Sequence, residues 1–264
     1  MIKAIISDID GTLLNKKLEY TPRLVAAINA AKERGVIFTL ATGRMYASAK
    51  YAVRGLDIKA PIICYNGAYI REFDSERILY QQTLDSASAD AILRVCREHS
   101  WHIQYYIDDE LYSPVDNALI EKYAEMTSVP YHVLGDDFYQ PKGKINKILL
   151  IEPQQGLTAI REKLATVNAN VDFTSSKPSF LEIVPRGVSK GEAIRRLAAH
   201  LNVATDEIMA AGDSFNDLEM LQTVGHGVAM GNAEQALKDV ARYVTDTNND
   251  DGLAKAIEKY VLGE

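Results

Sequence analysis

Short apolar runs recur in the first and last thirds of the chain, and stretches with helical spacing of apolar residues lie between them. A short apolar run predicts a buried strand, and recurrence every three to four positions predicts a helix. This alternation favours a parallel sheet covered by helices. The predicted strands are residues 2–6, 36–40, 61–64, 207–211 and 227–230. The predicted helices are residues 22–34, 45–53, 190–201 and 220–224, with two more starting near residues 233 and 253.

Several of these helices carry boundary signals. Thr21 and Pro22 are typical of an N-cap followed by proline in the first helical position, and Gly35 is typical of a helix end. Ser189 is a suitable N-cap for the helix that starts at Lys190. Asn66-Gly67 is a strong turn signal and predicts a hairpin after the third strand.

The middle of the chain has a different pattern, in which helices are interleaved with aromatic, alternating stretches. This pattern predicts an inserted α+β domain built on an antiparallel sheet. We therefore expect a discontinuous core domain at residues 1–83 and 186–264 and an insertion at residues 84–185. The predicted helices of the insertion are 87–99, 117–126 and 155–167, and its clearest strands are 144–151, 171–175 and 180–184.

Composition narrows the function classes. The net charge of −7 has the wrong sign for a protein that neutralises many nucleic-acid phosphates, so we expect no nucleic-acid partner. Cys64 and Cys96 lie in apolar contexts without metal-ligand spacing, which indicates reduced core thiols. The sequence before Asp8 leaves no room for a signal peptide, and no apolar run reaches the length of a membrane span. We expect a cytoplasmic protein without membrane contact, and the sequence does not indicate its oligomeric state.

Three polar loops follow apolar strands, where ligands of open parallel sheets gather. Asp8 and Asp10 follow the first strand, and crowded carboxylates at this position favour Mg²⁺ as a joining cation. The alternative is a pair of solvated acids in a loop. Asp213 and Asp217 lie four residues apart after a later strand, and can reach the same point as Asp8. The alternative for these two residues is a capping carboxylate and a favourable first-turn charge.

Two further segments suit an anion. Thr42 and Gly43 offer a hydroxyl and an unobstructed backbone N–H for phosphate oxygens, although Thr42 could be an ordinary N-cap. Arg44 could clamp a phosphate or be solvated. Lys190 has the wrong sign for the first turn of a helix, which indicates either a local anion or an exposed lysine that tolerates the position.

Taken together, these segments resemble the motifs of the haloacid dehalogenase superfamily, in their usual order. They are residues 8–12, 42–44, 190–191 and 212–217. The insertion between the second and third motifs is similar to the C2 cap of the Cof-type sugar-phosphatase branch, as are residues 66–68 and 182–191. The resemblance implies a Rossmann-like α/β core with a doubly wound parallel sheet.

The resemblance also implies the chemistry. Asp8 would be the nucleophile of a phosphatase acting on small phosphorylated metabolites such as sugar phosphates, and Asp10 would be the general acid and base. Mg²⁺ would be held by Asp8, the Asp10 carbonyl and Asp213, with Asp217 helping directly or through water. The implied phosphate ligands are Thr42, Gly43, Lys190 and Asn216, with Arg44 as a further substrate contact.

Two alternatives stay open from the sequence. A phosphomutase would share the motifs but would return the phosphoryl group to a sugar. A phospho-acceptor module could use one aspartate and Mg²⁺ without turnover, although the second acid at Asp10 and the large insertion argue against it.

Overall fold

The structure is a computed structural model, and it describes residues 1–75 and 77–264. The chain forms two compact units. The first unit comprises Met1–Gly43, Ala52–Tyr80 and Ser189–Glu264, and the second unit comprises Arg44–Tyr51 and Gln81–Val188. Both units are discontinuous in sequence. The predicted division into a core domain at residues 1–83 and 186–264 and an inserted domain at residues 84–185 stays a prediction.

Helices and strands are interspersed along the chain. The strands are β1 (Ala4–Ser7), β2 (Ile37–Leu40), β3 (Ile62–Cys64), β4 (Tyr69–Arg71), β5 (Ile78–Gln81), β6 (Ile103–Ile107), β7 (Glu110–Ser113), β8 (Tyr131–Val133), β9 (Lys147–Ile151), β10 (Val171–Thr174), β11 (Phe180–Pro185), β12 (Ile208–Gly212), β13 (His226–Ala229) and β14 (Tyr243–Val244). The helices are α1 (Pro22–Glu33), α2 (Tyr46–Ala52), α3 (Ser86–Glu98), α4 (Ala118–Thr127), α5 (Gln154–Ala165), α6 (Lys190–Leu201), α7 (Leu218–Thr223), α8 (Gln235–Val240) and α9 (Gly252–Ile257).

The first unit is built on a parallel sheet with the strand order β14-β13-β12-β1-β2. Strand β1 is central, and its last residue, Ser7, lies opposite Ala211 of β12 and Leu40 of β2. All four residues of β1 are buried, which explains why its sequence is a continuous apolar run rather than an alternating one. The predicted α/β class with a parallel sheet is confirmed.

One strand departs from the prediction. Strand β3 pairs antiparallel with β4 in a separate sheet of order β3-β4-β5, and an isolated bridge between Ala41 and Ile63 joins it to the end of β2. The apolar run of β3 gives no sign of this choice, because a parallel strand and a buried hairpin strand share the same composition. The turn between β3 and β4 contains Asn66 at a φ of 58°, a left-handed conformation that asparagine tolerates, and the predicted hairpin is confirmed.

Capping side chains set two helix starts of the first unit. The Thr21 hydroxyl accepts from the Leu24 N–H at 3.2 Å, and the Ser189 hydroxyl accepts from the Glu192 N–H at 3.0 Å. Each bond satisfies a backbone donor that the first helical turn cannot pair internally. The starts of α1 and α6 therefore lie where the sequence predicts.

The second unit is built on a sheet of order β10-β11-β9-β6-β7-β8. Four of its five pairs are antiparallel, as the sequence predicts, and only β7 and β8 pair in parallel. One face buries a core that includes Tyr105, Phe138 and Leu150. Tyr105 and Phe138 stack with their ring centroids 4.2 Å apart, so Tyr105 packs the core of this unit.

Several short elements have no counterpart in the sequence prediction. These are strands β8 and β14 and the turn at Phe215–Asp217. Within the part of the chain that the structure describes, none of the helices combines the length and the apolarity needed to span a bilayer.

Candidate active site

Asp8 lies at the carboxyl edge of the parallel sheet, directly after β1. Its backbone N–H donates to the Ala211 carbonyl at 3.0 Å, which continues the strand pairing by one residue. The Ser7 hydroxyl donates to the Asp8 carbonyl at 2.6 Å. Only 5% of the Asp8 surface is exposed, so the sheet holds this carboxylate in a fixed, largely dry position.

Lys190 is the first residue of α6, and its side chain has no exposed surface. Its ammonium donates to Asp8 at 2.7 Å and to Asp217 at 2.6 Å. Burial lowers the pKa of this ammonium, but the two carboxylates outweigh burial and the pKa is raised overall. Lys190 is therefore a permanently charged, paired cation, and the sequence alternative of a solvated lysine is wrong.

Asp217 organises the loop that follows β12. One of its carboxylate oxygens accepts from the backbone N–H groups of Asp213 at 2.9 Å and of Ser214 at 3.1 Å, and the other faces Lys190. Asp217 is the last residue of the 3₁₀ turn at Phe215–Asp217, directly before α7. Its side chain is fully buried, so both oxygens need the partners that they have.

Asp213 is fixed from two sides. The hydroxyl of Thr12 donates to one carboxylate oxygen at 2.9 Å, and the hydroxyl of Ser214 donates to the other at 3.1 Å. Gly11 lies against this carboxylate, since a Cβ built on Gly11 would be 2.4 Å from an Asp213 oxygen. The glycine in the first motif therefore makes room for the aspartate in the last motif.

Asp8, Asp213 and Asp217 form an acidic cluster in which one ligand oxygen from each lies within 4.8 Å of the others. Burial raises the pKa of Asp8 well above its ordinary value, and repulsion from the neighbouring carboxylates adds to this effect although Lys190 opposes it. Burial, with repulsion from Asp217, raises the pKa of Asp213 to about 7. A bound divalent cation would offset the repulsion between these buried carboxylates. Carboxylate oxygens are also the ligands that hard cations prefer. The cluster thus fits a divalent metal ion.

A second chain of contacts joins the loops after β2, β3 and β12. The backbone carbonyl of Thr42 accepts from the Asn66 N–H at 3.0 Å, and the Asn66 side-chain oxygen accepts from the Asn216 amide at 2.9 Å. The Asn216 side-chain oxygen is buried and has no hydrogen-bond partner among the described residues. An anion needs a hydrogen-bond donor at that point, and the Asn216 amide nitrogen has a second N–H besides the one that it donates to Asn66.

Three more predicted residues follow β1 and β2 in sequence. Asp10 is partly exposed in the turn after β1, where it forms a bridge with Leu14. Gly43 is partly exposed at the bend after Thr42. Arg44 belongs to the second unit, where it is buried and donates to the Ser48 hydroxyl at 3.1 Å.

Three positioning side chains have contacts that the sequence does not reveal. Thr12 and Ser214 hold Asp213, and Asn66 joins Thr42 to Asn216. Thr12 and Ser214 lie inside the motifs at residues 8–12 and 212–217, but the sequence does not indicate that both hydroxyls bind Asp213. The sequence indicates Asn66 as a turn residue in a segment similar to the Cof-type branch, but it does not indicate the contact with Asn216, because the two positions are distant in sequence.

A family model for haloacid dehalogenase-like hydrolases matches residues 5–257. A Bacillus subtilis relative, the 5-amino-6-(5-phospho-D-ribitylamino)uracil phosphatase YwtE, is 30% identical, with 100% of this chain and 99% of the relative covered. The HMP-PP phosphatase of Yersinia enterocolitica is 30% identical, over 90% of this chain and 87% of the relative. The crystal structure of TM0651 from Thermotoga maritima is similar with a TM-score of 0.84 and 34% identity, covering 98% of this chain and 97% of that one.

Proposed function

The chain belongs to the haloacid dehalogenase-like hydrolase family and is a phosphatase of that family, and we propose that it hydrolyses small phosphorylated metabolites through an aspartyl-phosphate intermediate on Asp8. One observation carries this proposal: the Asp8 carboxylate lies 2.7 Å from a fully buried lysine, at the centre of an acidic cluster. An anionic nucleophile needs fixed positive charge beside it before a phosphate can approach.

Asp8 performs the first step. A carboxylate oxygen of Asp8 attacks phosphorus, the bond between phosphorus and the leaving oxygen breaks, and Asp10 donates a proton to that oxygen. Asp10 then takes a proton from water, the water oxygen attacks phosphorus, and the bond to Asp8 breaks. Orthophosphate leaves and both aspartates return to their starting states.

Lys190 and the backbone hold Asp8 ready for this attack. The ammonium offsets the charge of the nucleophile and of the transferring phosphoryl group, and Asp217 keeps the ammonium in place. Loss of one preorganised charge or donor of this kind typically costs about 10²- to 10³-fold in turnover.

We propose Mg²⁺ as the metal, held by Asp8, the Asp10 carbonyl and Asp213, with Asp217 contributing directly or through water. The ion would supply positive charge to the phosphoryl oxygens. Asp217 is already occupied by Lys190 and two backbone donors, which favours the contribution through water.

Thr42, Gly43 and Asn216 are the proposed phosphate ligands, and Arg44 is a further candidate for substrate contact. The contacts of Asn66 with Thr42 and Asn216 support a common role for those two residues. Sugar phosphates or similar esters are the proposed substrates. One relative is named for a phosphate ester on a ribityl chain, which is consistent with such compounds.

The test uses p-nitrophenyl phosphate with wild type, Asp8→Asn, Asp10→Asn and an exposed control, Asp90→Asn. We expect Asp8→Asn to be inactive, because a neutral amide is not a nucleophile. Asp10→Asn should release one equivalent of nitrophenolate in a burst and then stall with phosphate on Asp8, since nitrophenolate leaves without acid assistance but hydrolysis of the intermediate needs a base.

Rapid quench and mass spectrometry of the Asp8 peptide provide the measurement. Asp90→Asn should behave like wild type. Wild-type turnover in Asp10→Asn would refute the acid and base assignment, and transfer of phosphate to an added sugar phosphate in preference to water would identify a mutase instead.

A further inference from the structure

The second unit contains a cavity of about 390 Å³ that lies between α4, the start of α5 and the turn before β11. Its volume falls within the range of small-molecule sites. From its lining we infer that this cavity binds an amphipathic monoanion, a carboxylate attached to an aromatic or branched aliphatic body. All residues that line the cavity belong to the second unit, and the inference does not depend on the proposed function.

The floor of the cavity is apolar. Tyr123 lines the cavity. Its hydroxyl accepts a hydrogen bond from the Tyr106 hydroxyl at 2.6 Å, so its ring is the part that is left to contact a ligand. The Phe180 ring lies with its centroid 5.8 Å from that of Tyr123. Leu119 also lines the cavity and keeps 42% of its surface exposed. An apolar ligand body would cover this surface and gain from its removal from water.

Lys177 places a positive charge beside this apolar floor. Its ammonium lies 2.9 Å from the Met126 sulfur and 5.5 Å from the centroid of the Phe180 ring. A thioether and an aromatic face are weak partners for an ammonium. Lys177 is partly buried and makes no ion pair with any residue that the structure describes, so its remaining donors suit an anion.

The charges around the cavity specify one negative charge on the ligand. Lys122 and Glu152 also line it, and neither forms an ion pair within the described residues. Their charges offset each other, which leaves the single charge of Lys177. A carboxylate matches that charge, whereas a phosphate monoester carries close to two negative charges at neutral pH.

The experiment observes Met126 directly. The full-length protein is labelled with ¹³C at the methionine methyl groups and titrated with 3-phenylpropionate, with 3-phenylpropionamide as the neutral analogue. We expect a saturable shift of the Met126 methyl with the acid, at least about tenfold weaker with the amide, because a charged hydrogen bond is lost. The methyl groups of Met209 and Met220, which are buried in the first unit, should not move.

Lys177→Gln tests the charge, and Lys163→Gln on the exposed surface of α5 is the matched control. Lys177→Gln should bind acid and amide with equal affinity, and Lys163→Gln should discriminate like wild type. Thermal unfolding of each variant checks that it is folded. Equal binding of acid and amide by wild type, or a titration that leaves Met126 unshifted, would overturn the inference.

Discussion

The Lys190 ammonium lies 2.6 Å from a carboxylate oxygen of Asp217, and neither side chain has exposed surface. Asp217 therefore has two tasks in the fold, because it holds the lysine beside Asp8 and binds the backbone of the Asp213 loop. A buried charge without its partner is expensive, so this pair couples the stability of the first unit to the geometry of the proposed site.

We expect Asp217→Asn to lower the free energy of unfolding by about 3–5 kcal/mol, the typical cost of breaking a buried ion pair from one side. Urea denaturation provides the measurement. Asp136→Asn is the control, because the Asp136 side chain is 88% exposed and its pair with Arg97 should contribute little. If Asp217→Asn were as stable as wild type, Asp8 alone would be sufficient to compensate Lys190.

The raised pKa of Asp213 predicts a pH dependence of stability. In metal-free protein this carboxyl keeps its proton up to about pH 7, whereas in the unfolded chain it loses the proton near 3.8. The folded state binds more protons between these values, so Asp213 lowers stability progressively as the pH rises through that window.

Asp213→Asn removes this contribution. With a chelator present, the stability of the variant relative to wild type should increase from pH 5 to pH 7.5, measured by urea denaturation at several pH values. The comparison cancels groups common to both proteins, such as His102 and His226, whose lowered pKa values act in the opposite direction. A difference that does not change with pH would contradict the prediction. Saturating Mg²⁺ should stabilise wild type more than the variant.

Gly11→Ala should weaken metal binding and turnover. The new methyl group would lie 2.4 Å from an Asp213 oxygen, and the φ of 76° adds strain. Gly35→Ala is a matched control, since its φ is 81° but nothing lies within 4 Å of the added Cβ. Both variants should lose about 1–2 kcal/mol of stability from the left-handed backbone. Only Gly11→Ala should lose Mg²⁺ affinity in calorimetry, and equal affinities would show that Asp213 can shift at little cost.

Cys96 should resist alkylation in the folded protein. Burial raises the pKa of its thiol to about 12 from an ordinary 9.0, which reduces the thiolate fraction at pH 8.5 about a thousandfold. Mass spectrometry after iodoacetamide treatment should find Cys96 unmodified in native protein and modified in urea. Rapid labelling of native protein would indicate that the core around α3 opens on the timescale of the reaction.

Much of the first unit is predictable from sequence because its signals are local. Thr21 and Ser189 mark helix starts by capping chemistry, and the apolar run of β1 identifies a fully buried strand. Three of the four motifs bring Asp8, Lys190, Asp213 and Asp217 together, and the loops that carry the three aspartates follow parallel strands at one edge of the sheet.

What the sequence leaves out depends on very short elements or on distant partners. Strands β8 and β14 are short edge strands that pair with the preceding strands β7 and β13, and two or three residues are too few to show a strand pattern in the sequence. The sequence does not determine which of several acidic residues pair with Lys190. The contact of Asn66 with Asn216 joins residues 150 positions apart. Such pairings follow from the completed packing rather than from any local pattern.

The central position of β1 has a consequence for biosynthesis. One of its neighbours, β2, is translated soon after it, but the other, β12, follows about 200 residues later. At common rates of translation the ribosome needs roughly 10–40 s to cover that distance. During this interval the nascent chain presents an apolar strand with one open edge, the kind of surface on which aggregation begins. The segment for the second unit is translated within the same interval and can complete its own core first, so the first unit closes last and only when nearly the whole protein has been made.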